Sequence, residues 1–556
     1  MFFDAAIFDL DDTLYSYREC HQAALRQVLD EIGQDCAIDR VELGRSYDCI
    51  SSELKSELGN TASSHNRFIY FKQLFVRHGI ALGRVSGYND RYWDLFHAAM
   101  RPSDGVIELL ELLRANKVRM ILLSDFQIEP QFRKLATLGI LQYFDDILTS
   151  EEIGADKPNS KMFLSALSRL KLSADRVLMI GDSFDKDILG AGRCGIQGVW
   201  VNEKAEPCGD GLAFKGIRDL HSWMVDLNRE TRHLKQMSRY CGERFDLTQA
   251  AGGNSSVKVG GLMLIKSSGY GLSDIDMKAG YSIVDNARLS RDLLDGRVYP
   301  LDEYLLFSKR KASIETYMHA LLGKYTLHLH PLQVNEILTA VDGKARIEAL
   351  FPEALVIDYV TPGRGIAELL LDRQHKGLIF LMNHGLIITA ATADEAMILL
   401  ESVLQKCADH IGKNYSSHLE VNRLSALLNQ VTGQDGLTYL SEDAVIRENF
   451  SQLGNIYPTF PDAVVYCGVE VLYLSAIDEQ EVLAFMARRG MPKLLVFKNE
   501  LYIFDASLKK CRETETVLKS VLLLNLTDGA RTRLSEVEVN FLNNWEAEKY
   551  RKTLAS

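Results

Sequence analysis

A chain of 556 residues is too long for one hydrophobic core, so its 47% hydrophobic and 25% charged residues point to two or three domains. A formal net charge of -12 without any Lys/Arg run longer than three residues argues against a nucleic-acid partner, and the few prolines and absence of repeats argue against disorder. The nine cysteines form no Cys-x-x-Cys pair, no stretch approaches the ~18 apolar residues of a membrane span, and Asp4, Asp9, Asp11 and Asp12 sit where a signal peptide would be apolar. A cytoplasmic protein with free thiols, no membrane contact and small-molecule substrates is expected.

Over the first ~200 residues, apolar runs at Ala5–Phe8, Arg119–Leu123, Arg176–Ile180 and Gly198–Val201 alternate with helical patterns, which predicts a parallel sheet with crossover helices. A helical stretch from about Arg18 to about Ala99 is too long for a simple crossover and reads as an inserted cap. Ligands of such sheets sit beyond the carboxyl ends of the strands, where the runs deliver Asp9 and Asp11, then Ser124 and Asp125, then Asp182. Asp9 and Asp11, two apart on an extended segment, point to one side, so one carboxylate can attack phosphorus while the other handles the leaving-group proton. The acidic segment Gly181–Asp187 suits a hard Mg²⁺ ion, and Lys157 can neutralise phosphate oxygens.

These four loops, in this order over residues 1 to about 205, resemble those of the haloacid dehalogenase superfamily. The resemblance implies a Rossmann-like fold with Asp9 as the nucleophile that forms an aspartyl-phosphate, Asp11 as general acid and base, and Ser124 and Lys157 as phosphate holders. It implies Mg²⁺ held by Asp9, Asp182 and the Asp11 carbonyl, with Asp187 or Asp185 as the last acidic position. An aspartate at position 11 favours phosphate hydrolysis over dehalogenation, with a mutase as the alternative. Asp125 stands where the family often has Asn.

Periodicity lapses through the turn-rich Glu203–Gly211, read as a linker or the tail of the first domain, and a helical pattern resumes from Glu230 to about Glu243. Two small-residue loops, Ala251–Ser256 and Ser267–Gly269, then flank a hairpin-like pair of apolar runs and can present amides and hydroxyls to an anion. His328 and His330, two apart on a strand, share a face, and His384 sits in a tight turn between two further apolar runs. Three imidazoles with one open position make a catalytic zinc arrangement, toward which Glu315 and His319 could lean from the preceding helix.

The order of Gly-Asn-Ser loop, Ser-Ser-Gly loop, Ser313-Ile314-Glu315, His-x-His and Asn-His-Gly resembles the class II aldolase/adducin family over about residues 230 to 415. The resemblance implies an α/β/α domain with Zn²⁺ on His328, His330 and His384, and Glu315 moving a proton on and off the carbon nucleophile. It also implies that Asn254, Ser268, Gly269 and Ser313 hold a substrate phosphate, and that the protein is a homo-oligomer, tetrameric as relatives are. Several members carry a second Ser where this chain has Ile314. The remaining 416–556, with α/β patterning at Pro461–Tyr466 and Leu494–Phe497, looks like the extension of longer, rhamnulose-phosphate-type members. The expected division is 1–225, with its cap at about 15–100, then 226–415 and 416–556. The expected function is a Mg²⁺-dependent sugar-phosphate phosphatase fused to a Zn²⁺-dependent aldolase, with dihydroxyacetone phosphate as shared metabolite. The alternatives are epimerisation or decarboxylation in the second half, or a non-catalytic scaffold there.

Overall fold

Three β-sheets organise the chain in this computed structural model, which describes residues 1–542 apart from 60, 206–211, 308–309, 372, 374–376, 454–458 and 526–531, and apart from the side chains of Gln452 and Asn525. Most of the expected linker, Glu206–Gly211, therefore lies outside the described residues, as does Cys208; the other eight cysteines are free thiols. No helix among the described residues is long and apolar enough to cross a membrane.

The first sheet is wholly parallel, in the order β3-β2-β1-β4-β5-β6. Its strands are β1 (Ala5–Phe8), β2 (Arg119–Ser124), β3 (Asp146–Thr149), β4 (Val177–Gly181), β5 (Gln197–Val201) and β6 (Leu212–Phe214). Central β1 and β4 are buried at every residue, because helices cover both faces, and this makes them read as unbroken apolar runs. The four expected runs form β1, β2, β4 and β5, whereas the short β3 and β6 sit at the two edges. Between β1 and β2 four helices, Tyr17–Cys36, Arg40–Leu58, Arg67–Arg77 and Val85–Ala99, form the expected cap. Ser16, Asp39 and Asn66 start three of these helices by accepting hydrogen bonds from first-turn amides. The cap is held by buried aromatics, among them Tyr70, Phe71, Phe75, Tyr92 and Phe96.

The second sheet runs β10-β9-β8-β7-β11-β14-β13-β12 and is antiparallel except between β12 and β13. It comprises β7 (Asn254–Val259), β8 (Leu262–Lys266), β9 (Tyr281–Asp285), β10 (Leu305–Leu306), β11 (Tyr325–Leu329), β12 (Leu355–Ile357), β13 (Leu378–Leu381) and β14 (Gly385–Ala390). The third sheet, in the order β15-β18-β17-β16, is built from β15 (Leu437–Leu440), β16 (Leu472–Leu474), β17 (Leu494–Phe497) and β18 (Glu500–Asp505).

One helix, Ile217–Gly242, joins the first two sheets into a common core. Ile217, Leu220, Met224, Leu227, Leu234, Met237 and Cys241 recur at helical spacing and are all buried. The helix runs uninterrupted through position 225, where sequence patterning places the end of the first domain. A second link is electrostatic: Asp4, just before β1, pairs with Lys278 of the second unit at 2.8 Å and with Arg176 before β4.

Candidate active sites

Asp9 lies one residue beyond the buried β1, at the carboxyl end of the parallel sheet, with its amide still donating to the Ile180 carbonyl at 2.9 Å. Its Oδ1 accepts from Lys157 Nζ at 2.5 Å and its Oδ2 from Thr13 Oγ1 at 3.2 Å. The same ammonium reaches Asp187 Oδ1 at 2.6 Å, and oxygens of Asp9, Asp182 and Asp187 lie within 4.8 Å of one another. Burial, with repulsion from Asp187 and Asp182, pushes the Asp9 carboxyl well above the usual carboxylate range despite Lys157. Burial and Asp187 push Asp182 up to about 7. Asp187 is fully buried in the turn after β4, whereas Asp185 is exposed, so of these two acidic residues Asp187 is the one gathered into the cluster.

Ser124 closes β2 and accepts from Gln131 Nε2 at 2.5 Å, which leaves the serine hydroxyl hydrogen free to donate to an incoming anion. Asp125 anchors the opposite loop, accepting from the Lys157 amide at 2.7 Å and from Lys186 Nζ at 2.9 Å. Asp11 is held by a residue that the sequence motifs do not reveal. Lys134, wholly buried on helix Ile128–Leu138, donates to its two oxygens at 2.8 and 3.0 Å, and its ammonium lies over the rings of Tyr17, Phe96 and Phe126. Burial alone would raise Asp11, but Lys134, Tyr15 and Gln131 together hold it below the ordinary range. The available signal was a Gln and a Lys three apart on the same face as the buried Leu135 and Leu138.

In the second sheet, β11 carries His328, His330 follows it, and the hairpin turn between β13 and β14 carries His384, made possible by Asn383 at φ +57°. His328 Nε2 is 3.3 Å from both His330 Nε2 and His384 Nε2. Burial is the chief cause that lowers all three imidazoles, His328 to about 3 and His330 to about 4, so all three rings are neutral. Neutral rings cannot all donate to one another, and a tetrahedral ion with bonds of roughly 2.0–2.1 Å separates its nitrogens by about 3.3 Å, so the set fits Zn²⁺. The carboxylate cluster likewise fits a hard cation, since one ammonium cannot neutralise three carboxylates.

Glu315 faces the histidines, with Oε1 3.5 Å from His328 and 3.6 Å from His384, while its Oε2 accepts from Asn254 Nδ2. Burial raises its pKa against the pull of His384 and His330. Ser313 Oγ accepts from the Glu315 amide at 3.3 Å, so Asn254 and Ser313 fix the glutamate from two sides. Ser268 and Gly269 lie apart from these, exposed on the loop after β8, with the Ser268 amide spent on the Lys311 carbonyl at 2.9 Å. His319 is not gathered with the three histidines; it is fully buried against Ser256 Oγ at 2.7 Å. A second unforeseen residue, Lys266 at the end of β8, donates to the carbonyls of Ala251 at 3.0 Å and Tyr270 at 2.8 Å and so ties the two small-residue loops together.

Family models match both regions: haloacid dehalogenase-like hydrolase over residues 6–201, and class II aldolase and adducin N-terminal domain over residues 232–410. The chain is a haloacid dehalogenase-like hydrolase fused to a class II aldolase/adducin domain. Among curated proteins it is 35% identical over 207 residues to ribulose-1,5-bisphosphate 5-phosphatase of Halopiger xanaduensis, covering 36% of this chain and 86% of the relative. It is 30% identical over 203 residues to glyceraldehyde 3-phosphate phosphatase of Methanothermobacter thermautotrophicus, with 36% and 86% covered. A solved class II aldolase domain of a conserved Thermoplasma acidophilum protein is 24% identical, covers 32% of this chain and 92% of that chain, and has a TM-score of 0.30. Hydrolase and lyase machinery thus reside on one chain.

Proposed function

We propose a bifunctional enzyme in which residues 1–225 hydrolyse a small sugar phosphate and residues 226–415, with the extension 416–556, make or cleave a ketose or ketose phosphate. The observation that carries this reading is the pairing, on one chain, of a buried carboxylate cluster under Lys157 with three neutral imidazoles facing Glu315. The two curated relatives, named for phosphatases of small sugar phosphates, support the substrate class of the first half.

In the first half, Asp9 attacks phosphorus, the bond from phosphorus to the sugar oxygen breaks, and Asp11 delivers a proton to that oxygen. Water, losing a proton to Asp11, then attacks the aspartyl-phosphate, which releases inorganic phosphate and restores Asp9. With Lys134 beside it Asp11 is ionised, as the second step needs; phosphate bound between Ser124 and Lys157 brings negative charge that favours the protonated form for the first. Asp9, Asp182, Asp187 and the Asp11 carbonyl would hold Mg²⁺, which would supply charge that neutralises the carboxylates and the phosphate.

In the second half, Glu315 moves the proton on and off the carbon that acts as nucleophile, its Oε1 aimed at the site and its Oε2 fixed by Asn254. His328, His330 and His384 would hold Zn²⁺, which would supply Lewis acidity to substrate oxygens. Asn254, Ser268, Gly269 and Ser313 are assigned to the phosphate end of the substrate. Dihydroxyacetone phosphate is the metabolite the two halves have in common, a homotetramer is the assembly, and dephosphorylation makes the sequence of steps irreversible.

The test is mass analysis with parallel phosphate release, using the protein with Zn²⁺, Mg²⁺, dihydroxyacetone phosphate and a panel of small aldehydes. The expected result is an aldol product lost in His330→Ala and phosphate release lost only in Asp9→Asn. Phosphate release without any carbon-carbon product, unchanged in His330→Ala, overturns the aldolase assignment for these substrates.

A further inference from the structure

The extension 416–556 carries none of the motifs described above, yet its last described long helix, Leu508–Asn525, begins against the two small-residue loops of the aldolase unit. There a cleft of about 500 Å³ is lined on one side by Ala251 and Gly269 and on the other by Lys509 and Arg512. Arg512 also lines an adjoining cavity of about 170 Å³ that runs between the same two units. Lys509 and Arg512 are three apart on the helix, so they share a face.

Both cations are exposed, and among the described residues neither has an ion-pair partner. Of the two acids lining the cleft, Glu513 pairs with Lys510 at 2.9 Å and Asp274 accepts from the Gly271 amide at 2.9 Å. The aldolase side of the cleft is connected to the three histidines. Ala251 precedes Gly252, where an added Cβ would lie 3.1 Å from His330 Nδ1, and Lys266 fixes the Ala251 and Tyr270 carbonyls relative to each other. Gly269, at φ +83° with open space around its Cβ position, leaves the cleft side unobstructed.

We propose that Arg512 and Lys509 of the C-terminal unit complete the anion-binding end of the His328–His330–His384 site and receive the phosphate of its substrate. The proposal deepens the aldolase reading and rests on it for the identity of the substrate. The extension thereby acquires a chemical role, because a guanidinium can grip a phosphate through two parallel hydrogen bonds, with Lys509 adding a point charge. These cations also supply what the loops lack, since the Ser268 amide is spent on Lys311 and Ile314 offers no hydroxyl.

The test is site-resolved protection of arginine in the full-length, zinc-loaded protein. Phenylglyoxal modification is followed by peptide mapping with and without inorganic phosphate as the probe. Arg512 is expected to be shielded about tenfold at saturating phosphate, while the exposed Arg26 of the cap reacts at an unchanged rate. Lys509→Gln is expected to raise the half-protecting phosphate concentration severalfold. Equal modification of Arg512 with and without phosphate, or equal protection of Arg26, overturns the proposal. Where aldol turnover is present, Arg512→Gln is expected to raise KM for dihydroxyacetone phosphate about tenfold with kcat little changed, and to leave unphosphorylated dihydroxyacetone unaffected. Protection needs no turnover, so failure of the anion site and failure of the aldolase reading give separate results.

Discussion

Lys134 Nζ stands 2.8 Å from Asp11 Oδ1, and the lysine is wholly buried beneath the cap. Its ammonium is surrounded by aromatic rings, so Asp11 is the anion that compensates it. Lys134→Met keeps the length of the side chain and removes the charge. Phosphate release is expected to lose about tenfold or more in kcat with little change in KM, because Asp11, the proposed carrier of protons, is no longer positioned. Steady-state kinetics checks this, and an unchanged kcat would refute it.

Asp182, raised from 3.8 to about 7, ties the stability of the first unit to pH. Between those values the metal-free folded protein holds a proton that the unfolded chain has released, so stability is present below the unfolded value and is lost as pH rises toward 7. Thermal unfolding in chelator is expected to shift to lower temperature between about pH 5 and about pH 8. Added Mg²⁺ should remove most of that shift, and Asp182→Asn should flatten it. A metal-free melting temperature that rises over this range contradicts the assignment.

The three histidines behave in the opposite way toward their metal. With His328 lowered to about 3 and His330 to about 4, and His384 lowered as well, protons do not compete for the first two imidazoles until strongly acidic solution. Zinc is therefore expected to survive dialysis at about pH 5.5, and His330→Ala to lose it. Metal content by mass spectrometry decides.

Glu315→Gln separates proton transfer from metal binding. The amide keeps the shape and the contact to Asn254 but cannot take a proton, so carbon-carbon chemistry is expected to fall about 10²- to 10⁴-fold with zinc content and phosphate release unchanged. Loss of zinc in this variant would instead make Glu315 a ligand.

Gly181 closes β4 directly beneath the carboxylate cluster, and a Cβ there would meet Asp187 Cγ at 2.5 Å. Gly181→Ala must displace Asp187, so phosphate release is expected to drop severely while the second half keeps its zinc and its activity. Normal phosphatase kinetics in Gly181→Ala would show that Asp187 can move without cost.

The patterns that the chain announced were those with a strict geometric cause. Strands β1 and β4 are apolar and buried throughout because helices cover both faces, and β2 and β5 are so at all but their first residues and a few partly polar or half-buried positions. The candidate acids Asp9 and Asp182 directly follow β1 and β4, where the parallel strands end. His328 and His330 share a face through the two-residue period, and their closeness to His384 follows from the hairpin of β13 and β14. Lys134 stayed hidden because a lysine in a helix ordinarily reads as a solvated side chain, and only the folded cap shows that it is buried. Lys266 was silent for the same reason, since its partners are main-chain carbonyls that no residue type reveals. The roles of Asp125 and Arg512 depend on which loops tertiary packing brings alongside them.

The helix Ile217–Gly242 makes the fusion more than two neighbours on a string. Cutting the chain at residue 225 would leave each fragment with a few turns of an amphipathic helix and an apolar wall opened to water, Met224 on one piece and Leu227 and Leu234 on the other. Either fragment expressed alone would be prone to aggregate, so splitting this gene into two working ones demands that the shared helix be supplied twice.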